Sequence, residues 1–281
     1  MVVNDSQSLL ERADLSRPVP ENARKLAHLV EVNERRIEMG QCTEGDVLLP
    51  RRAFSYRDAG VEDIICHLVV LTKNEEDTRT DSSVAQSDHN VFYRESLPPD
   101  SHYAKATIVF LHGQAYTSLT WTDRGSLRTF AALGYHCIAP DLPGSGQTRG
   151  PAVSLHDKPQ FLLSFLSALG VKQVMVVTAS MAAQYVLPLL AQDVFVCVVG
   201  IAPSNTHEIS EPSLYRTPIL VLWGDYDTSL GPTAAANLRV LPNARLHKIP
   251  NAGHACHLNN PQAFEEICMN FFDLVRNYHA L

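Results

Sequence analysis

Three short segments of this chain carry the residue types that nucleophilic acyl chemistry needs. The first is Val176-Val177-Thr178-Ala179-Ser180-Met181-Ala182-Ala183. A β-branched apolar run stops at a serine with small neighbours, and a helix-forming stretch begins at once. That pattern turns the chain sharply from strand to helix and leaves the Ser180 hydroxyl exposed at the turn. Small residues are needed there because strand and helix pass very close together. In the usual G-x-S-x-G form, glycines stand where this chain has Thr178 and Ala182. Ala182 meets the steric requirement, whereas the β-branched Thr178 crowds the contact. Taken alone, a serine after a strand is more often a helix N-cap than a nucleophile.

The other two segments change that balance. A serine hydroxyl is a poor nucleophile near neutral pH and needs a general base, which in turn needs an orienting group. Downstream, Pro218-Ile219-Leu220-Val221-Leu222-Trp223 runs into Gly224-Asp225-Tyr226-Asp227, an apolar strand ending in a turn with two carboxylates. Further on, Ala244 to Ile249 leads into Pro250-Asn251-Ala252-Gly253-His254-Ala255-Cys256-His257. The order Ser, Asp, His, with each residue following a predicted strand, is that of the α/β-hydrolase fold. A site at the C-terminal edge of a parallel sheet demands such placement.

Asp227 is the expected orienting carboxylate. Asp225 is the alternative, but a carboxylate so close to a strand end more often stabilises the turn. His254 is the expected base because of its Gly-His position, with His257 as its competitor. Two main-chain donors are expected to face the developing oxyanion, the N–H groups of Met181 and Gln114. His112 is read as bracing the loop that carries Gln114, and Asp141 as organising the turn from Pro140 to Gly146. His254, Cys256 and His257 have metal-ligating types but not a zinc spacing, so no metal site is expected. Gly144-Ser145-Gly146 lacks the phosphate-loop and dinucleotide patterns, so no nucleotide cofactor is expected through it.

The elements that must position these residues alternate. Strands are predicted at Ile64–Leu71, Val91–Arg94, Thr107–Leu111, Tyr135–Ala139, Gln173–Thr178, Val194–Ile201, Ile219–Trp223 and Ala244–Ile249. Helices are predicted at Asp123–Leu133, Pro159–Leu169, Met181–Leu190, Thr233–Leu241 and Pro261–Val275. The strands are continuous apolar runs, which implies a mostly parallel sheet covered by helices on both faces. Only 16 residues, 202 to 217, separate the sixth and seventh strands. That is too short for a cap domain, so a shallow site shaped by loops is expected. Residues 1–60 read as an N-terminal extension with a charged helix over Glu21–Met39, and 61–281 as the hydrolase domain. Within it, 73–90 is polar and reads as an exposed loop.

The 281 residues are 45% hydrophobic with a formal net charge of −7, which gives no electrostatic footprint for nucleic acid. Six cysteines without a CxxC pair fit reduced, mostly buried thiols in a cytoplasmic protein. No signal-peptide core and no apolar run of membrane-spanning length is apparent.

The chain resembles the abhydrolase domain-containing protein 14 family of small lidless α/β-hydrolases. The resemblance rests on Phe92-Tyr93-Arg94-Glu95-Ser96-Leu97-Pro98, on Leu111-His112-Gly113 with Ser118-Leu119-Thr120-Trp121, and on Ala139-Pro140-Asp141-Leu142-Pro143-Gly144. It continues through Ser180-Met181 with Gln184-Tyr185-Val186-Leu187-Pro188, then Gly224-Asp225-Tyr226-Asp227 and Ala252-Gly253-His254. It covers about Val91 to Leu281. It implies a serine hydrolase or acyltransferase acting on an ester, thioester or amide through an acyl-serine intermediate. It also implies deacylation of acylated protein lysine with coenzyme A as acceptor. The other reading is a low-activity interaction protein with a transcription-factor partner and a nuclear as well as cytoplasmic location. C–C bond hydrolysis and perhydrolysis use the same triad. Haloalkane dehalogenases and epoxide hydrolases use an aspartate where Ser180 stands.

Overall fold

The apolar runs pair into one sheet of eight strands, in the order β1-β2-β4-β3-β5-β6-β7-β8. The strands are β1 Ile65–Leu71, β2 His89–Ser96, β3 Thr107–Leu111, β4 His136–Pro140, β5 Val174–Ala179, β6 Phe195–Ile201, β7 Ile219–Gly224 and β8 Ala244–Ile249. From β4 across to β8 every pairing is parallel, while β2 runs antiparallel to both β1 and β4. The computed structural model describes residues 65–71, 89–99, 104–209 and 211–279. The helix expected over Glu21–Met39 lies outside the described residues. So does the loop expected over 73–90, except that His89 and Asn90 already belong to β2.

Burial explains the sequence pattern. Every residue of β5 is buried, because helices cover both of its faces. One face packs under α1 (Leu119–Asp123), α2 (Ser126–Ala132), α6 (Cys256–Asn259) and α7 (Pro261–His279), around Trp121, Phe130, Phe264 and Phe272. The other packs under α3 (Lys158–Ala168), α4 (Ala183–Val186) and α5 (Leu230–Leu238), around Phe165, Leu162, Tyr185 and Leu238. A large apolar side chain buried in this way stabilises the fold by about 1.5–3 kcal/mol. At the sheet edge β8 relaxes to a mixed pattern with Leu246 exposed.

Two expected helices divide. The helix predicted over Asp123–Leu133 is α1 and α2, separated by Gly125 at φ 83°, a left-handed angle that ends one helix and admits the next. The helix predicted over Met181–Leu190 is a 3₁₀ turn at Ser180–Ala182, then α4, then a 3₁₀ turn at Leu187–Leu189. Pro188 removes a backbone donor there and cannot continue an α-helical ladder. Helix α5 starts three residues before the expected Thr233, and α7 runs past the expected Val275. Between β6 and β7 the described chain forms two 3₁₀ turns, Thr206–Glu208 and Pro212–Leu214.

Candidate active site

The chain leaves β5 through a residue that chain sterics disfavour. Ser180 has φ 51°, in the left-handed region that a side chain rarely adopts. This is the sharp strand-to-helix turn, and it lifts the Ser180 side chain off the end of the sheet. Thr178 sits two residues back on the face shared with Val174 and Val176, which pack with Ala182 and Ala183. Its neighbour across β6 is Gly200, which has no side chain. Alanines ahead and a glycine beside make room for the β-branched residue. Its hydroxyl, fully buried, finds no hydrogen-bond partner among the described residues.

His254 Nε2 lies 3.0 Å from Ser180 Oγ, and His254 Nδ1 lies 2.9 Å from Asp227 Oδ2. An ionised carboxylate only accepts, so Nδ1 carries the proton it donates, and Nε2 is left to accept from the serine hydroxyl. The structure therefore brings Ser180, Asp227 and His254 together from the C-terminal ends of β5, β7 and β8. Strands β5 and β7 are not neighbours, and the imidazole spans the gap over β6.

The carboxylate is held from below. Ser229 N–H donates to Asp227 Oδ1 at 3.1 Å, and Gly231 N–H donates to Oδ2 at 3.2 Å. Burial would raise the Asp227 pKa, but donation from His254, Ser229 and Gly231 outweighs it and holds the pKa below the usual carboxylate value. The Asp227 side chain is 2% exposed and that of His254 is 47% exposed. The buried anion thus orients an imidazole that is still open to solvent. Gly231 could not carry a side chain, since a Cβ there would come within 2.5 Å of Trp223. Ser229 and Gly231 were missed by sequence reasoning; no motif marks them beyond the short spacing to Asp227.

The competing candidates have other surroundings. Asp225 is exposed and accepts the Ala252 N–H at 3.1 Å, tying the acid turn to the histidine loop. His257 is buried and stacks on Trp121 at 4.8 Å between ring centroids. Burial, reinforced by the charges of His254 and Arg124, pushes its pKa down to about 3. Cys256 is buried beside it, and among the described residues no three His, Cys, Asp or Glu side chains gather as metal ligands would.

The loop after β3 packs on the serine turn. A Cβ on Gly113 would lie 3.7 Å from the Ala179 carbonyl oxygen and 3.8 Å from Ser180 Cβ. His112 braces this loop, with Nδ1–H donating to the Gly113 carbonyl at 2.8 Å and Nε2 accepting from Leu142 N–H at 2.9 Å. Burial lowers its pKa, against the opposing pull of the Gly113 carbonyl and Asp141. The N–H groups of Gln114 and Met181 donate to no backbone acceptor among the described residues. Asp141 fastens the next loop by accepting from Gln147 N–H at 2.8 Å, and a Cβ on Gly146 would collide with it.

A cavity of about 610 Å³ opens elsewhere, between Gln173, Phe195, Arg216 and Pro218. It lies at the N-terminal ends of β5, β6 and β7, away from Ser180. Ligand chemistry in open α/β sheets gathers instead at the C-terminal ends.

Known proteins share this fold. The alpha/beta hydrolase family matches over residues 108–214, a span that includes Ser180 and stops before Asp227 and His254. A "predicted CIB-like hydrolase" from Thermoplasma acidophilum shares the fold with TM-score 0.60 at 22% identity, over 75% of this chain and 99% of that one. A thermophilic esterase from Thermogutta terrifontis shares it with TM-score 0.59 at 14% identity, over 74% and 99%. The chain thus has the α/β-hydrolase fold.

Curated relatives narrow the group. Protein ABHD14A of Danio rerio is 36% identical over 200 residues, covering 66% of this chain and 72% of the relative. The human protein named "Putative protein-lysine deacylase ABHD14B" is 33% identical over 189 residues, covering 64% and 89%. The chain belongs to the ABHD14 family. Among its described residues no helix is long and apolar enough to cross a membrane.

Proposed function

We propose that this protein is a serine hydrolase or acyltransferase that works through an acyl-serine intermediate. The observation that carries the proposal is the unbroken series Ser180 Oγ, His254 Nε2, His254 Nδ1 and Asp227 Oδ2, with contacts of 3.0 and 2.9 Å. Ser180 Oγ attacks an acyl carbonyl while its proton passes to His254 Nε2. Asp227 holds the imidazole in the required tautomer and stabilises its cationic form. The N–H groups of Met181 and Gln114 receive the oxyanion of the tetrahedral intermediate. His254 then returns the proton to the departing alcohol, thiol or amine. In the second half, water or a thiol gives its proton to His254 and attacks the acyl-serine, and His254 returns that proton to Ser180 Oγ as the acyl–oxygen bond breaks.

The acyl donor is proposed to be an acylated protein lysine, on the strength of the deacylase name that the ABHD14B relatives carry. Coenzyme A is the proposed thiol acceptor. A cytoplasmic location fits both partners.

Labelling with a fluorophosphonate probe, read by intact mass, tests the nucleophile. One adduct on the wild type and none on Ser180→Ala is the expected result. Folded wild type without an adduct overturns the reading and favours a binding-only role, including one with a transcription-factor partner. Incubation with acetyl-lysine peptide and coenzyme A tests the acceptor. Acetyl-coenzyme A should form, and free acetate alone would leave water as the acceptor.

A further inference from the structure

Lys158 is a cation beside the serine turn without an anion of its own among the described residues. It opens α3, and its Nζ donates to Met181 Sδ at 3.4 Å and to the side-chain oxygen of Gln184. The same ammonium lies 5.2 Å above the Tyr185 ring. All three partners belong to the segment that begins at Ser180, and all are neutral. Among the described residues no carboxylate comes within ion-pair distance of this nitrogen. An ordinary surface lysine extends into water or pairs with an acid.

A hydrogen-bonded chain fixes the ammonium in place. Gln184 Nε2 donates to Asn205 Oδ1 at 2.7 Å, and Asn205 Nδ2 donates to Glu208 Oε1 at 2.7 Å. Asn205 itself has φ 57°, in the left-handed region. Its loop is joined to the nucleophile's own residue, because Ser204 N–H donates to the Ser180 carbonyl at 3.1 Å. Glu208 is two side chains away from Lys158, so among the described residues the charge is unmatched. Part burial also lowers the Lys158 pKa, as expected of a cation with no paired anion nearby.

We propose that Lys158 is a specificity-determining residue that recognises an anionic group on the substrate. The assignment rests on the acyl-serine reading above. A carboxylate at the far end of a short acyl chain has the required chemistry, and so has a phosphate on the acyl acceptor. Either would replace a neutral acceptor by an anionic one, adding the attraction of opposite charges to the hydrogen bond.

The test compares kcat/KM on butyryl and hemisuccinyl esters with the same leaving group, for wild type, Lys158→Met and Lys158→Arg. A second arm compares coenzyme A with pantetheine, which lacks the nucleotide phosphates, as acceptor. Fluorophosphonate labelling of each protein reports folding and serine reactivity independently of substrate charge. Wild type should prefer the charged member of one pair, and Lys158→Met should lose about tenfold of that preference. Lys158→Arg should retain most of it, and 0.5 M salt should erode it in the wild type. A shift in the ester pair assigns an acyl carboxylate; a shift in the thiol pair assigns a phosphate. Unchanged ratios in proteins that still label overturn the proposal and leave the acyl-serine reading standing. Wild type that fails to label removes both. Should Lys158→Met not fold, a preference in wild type and Lys158→Arg that is the same in 0.5 M salt as at low salt overturns the electrostatic role.

Discussion

Ser118 gives both its backbone N–H and its hydroxyl to one carboxylate oxygen of Asp141, at 2.8 and 2.6 Å across 23 residues of sequence. The pair clamps the loop after β3 to the loop after β4. Arg94 adds a third member, donating to the Ser118 hydroxyl with its guanidinium 3.9 Å from Asp141. Asp141 is 2% exposed, so removing it strands several buried donors at once. Asp141→Ala should cost about 3–5 kcal/mol, read from the urea unfolding midpoint. Because the clamp steadies the loop bearing Gln114, fluorophosphonate labelling of the folded fraction should slow as well.

The two carboxylates after β7 separate cleanly by substitution. Asp227→Asn keeps the shape but presents an amide to His254, which favours the wrong tautomer. It should lower kcat by about 10⁴-fold. Asp225→Asn retains an oxygen that can accept the Ala252 N–H, so kcat should change by less than about threefold. Equal losses in the two variants would contradict the assignment of Asp227.

Gly224 ends β7 against the histidine loop. A Cβ there would meet the Ala252 carbonyl oxygen at 2.0 Å and that of Gly253 at 2.3 Å. Gly224→Ala must push that backbone away and His254 with it. We expect a loss of about 1–3 kcal/mol in stability and at least a tenfold slower labelling of Ser180. Gly170→Ala is the control. Gly170 has φ +66° and open space around it, so only backbone strain of about 1–2 kcal/mol is expected, with labelling unchanged.

Two buried groups give opposite pH dependences of stability. The His257 pKa falls from 6.5 to about 3 on folding. Between those values the unfolded chain holds the extra proton, so this histidine makes stability fall as pH drops from about 6.5 toward about 3. The Glu265 pKa rises from 4.5 to about 7, chiefly through burial, against hydrogen bonds from Ser126 and Thr129. Here the folded state holds the extra proton, so this contribution is full below 4.5 and is lost as pH rises through about 7. Each slope is at most about 1.4 kcal/mol per pH unit, and they oppose one another where the windows overlap. Relative to wild type, Glu265→Gln should gain stability as pH rises from 4.5 to 7. His257→Phe should gain it as pH falls from 6.5 to 3. Denaturant titrations at stepped pH read both; a common sign would contradict this account.

Thr178 offers a test of packing at the serine turn. Its hydroxyl is buried without a partner, so Thr178→Val keeps the volume and removes an unsatisfied group. A gain of about 1 kcal/mol is expected, visible as a higher Tm.

The sequence alone determined the elements and the order of the chemical residues. Apolar runs of strand length point to a parallel sheet covered on both faces, and Ser180 and Asp227 follow such runs while His254 follows the mixed edge strand β8. Glycine and proline effects were read less well. Gly125 and Pro188 divided helices that periodicity drew as continuous, because one left-handed angle or one missing donor outweighs several good helix formers. Position in the turn favoured Asp227 and His254 in the sequence, but tertiary structure decided that His254 meets the serine and Asp227 meets His254. Asp225 and Asp227 are chemically alike, as are His254 and His257, and their roles differ only through what surrounds them. Asp227 is buried under donors from Ser229 and Gly231, while His257 is stacked on Trp121. The meeting of Lys158 with Met181, 23 residues apart, likewise comes from packing α3 beside the serine turn, which no local pattern encodes.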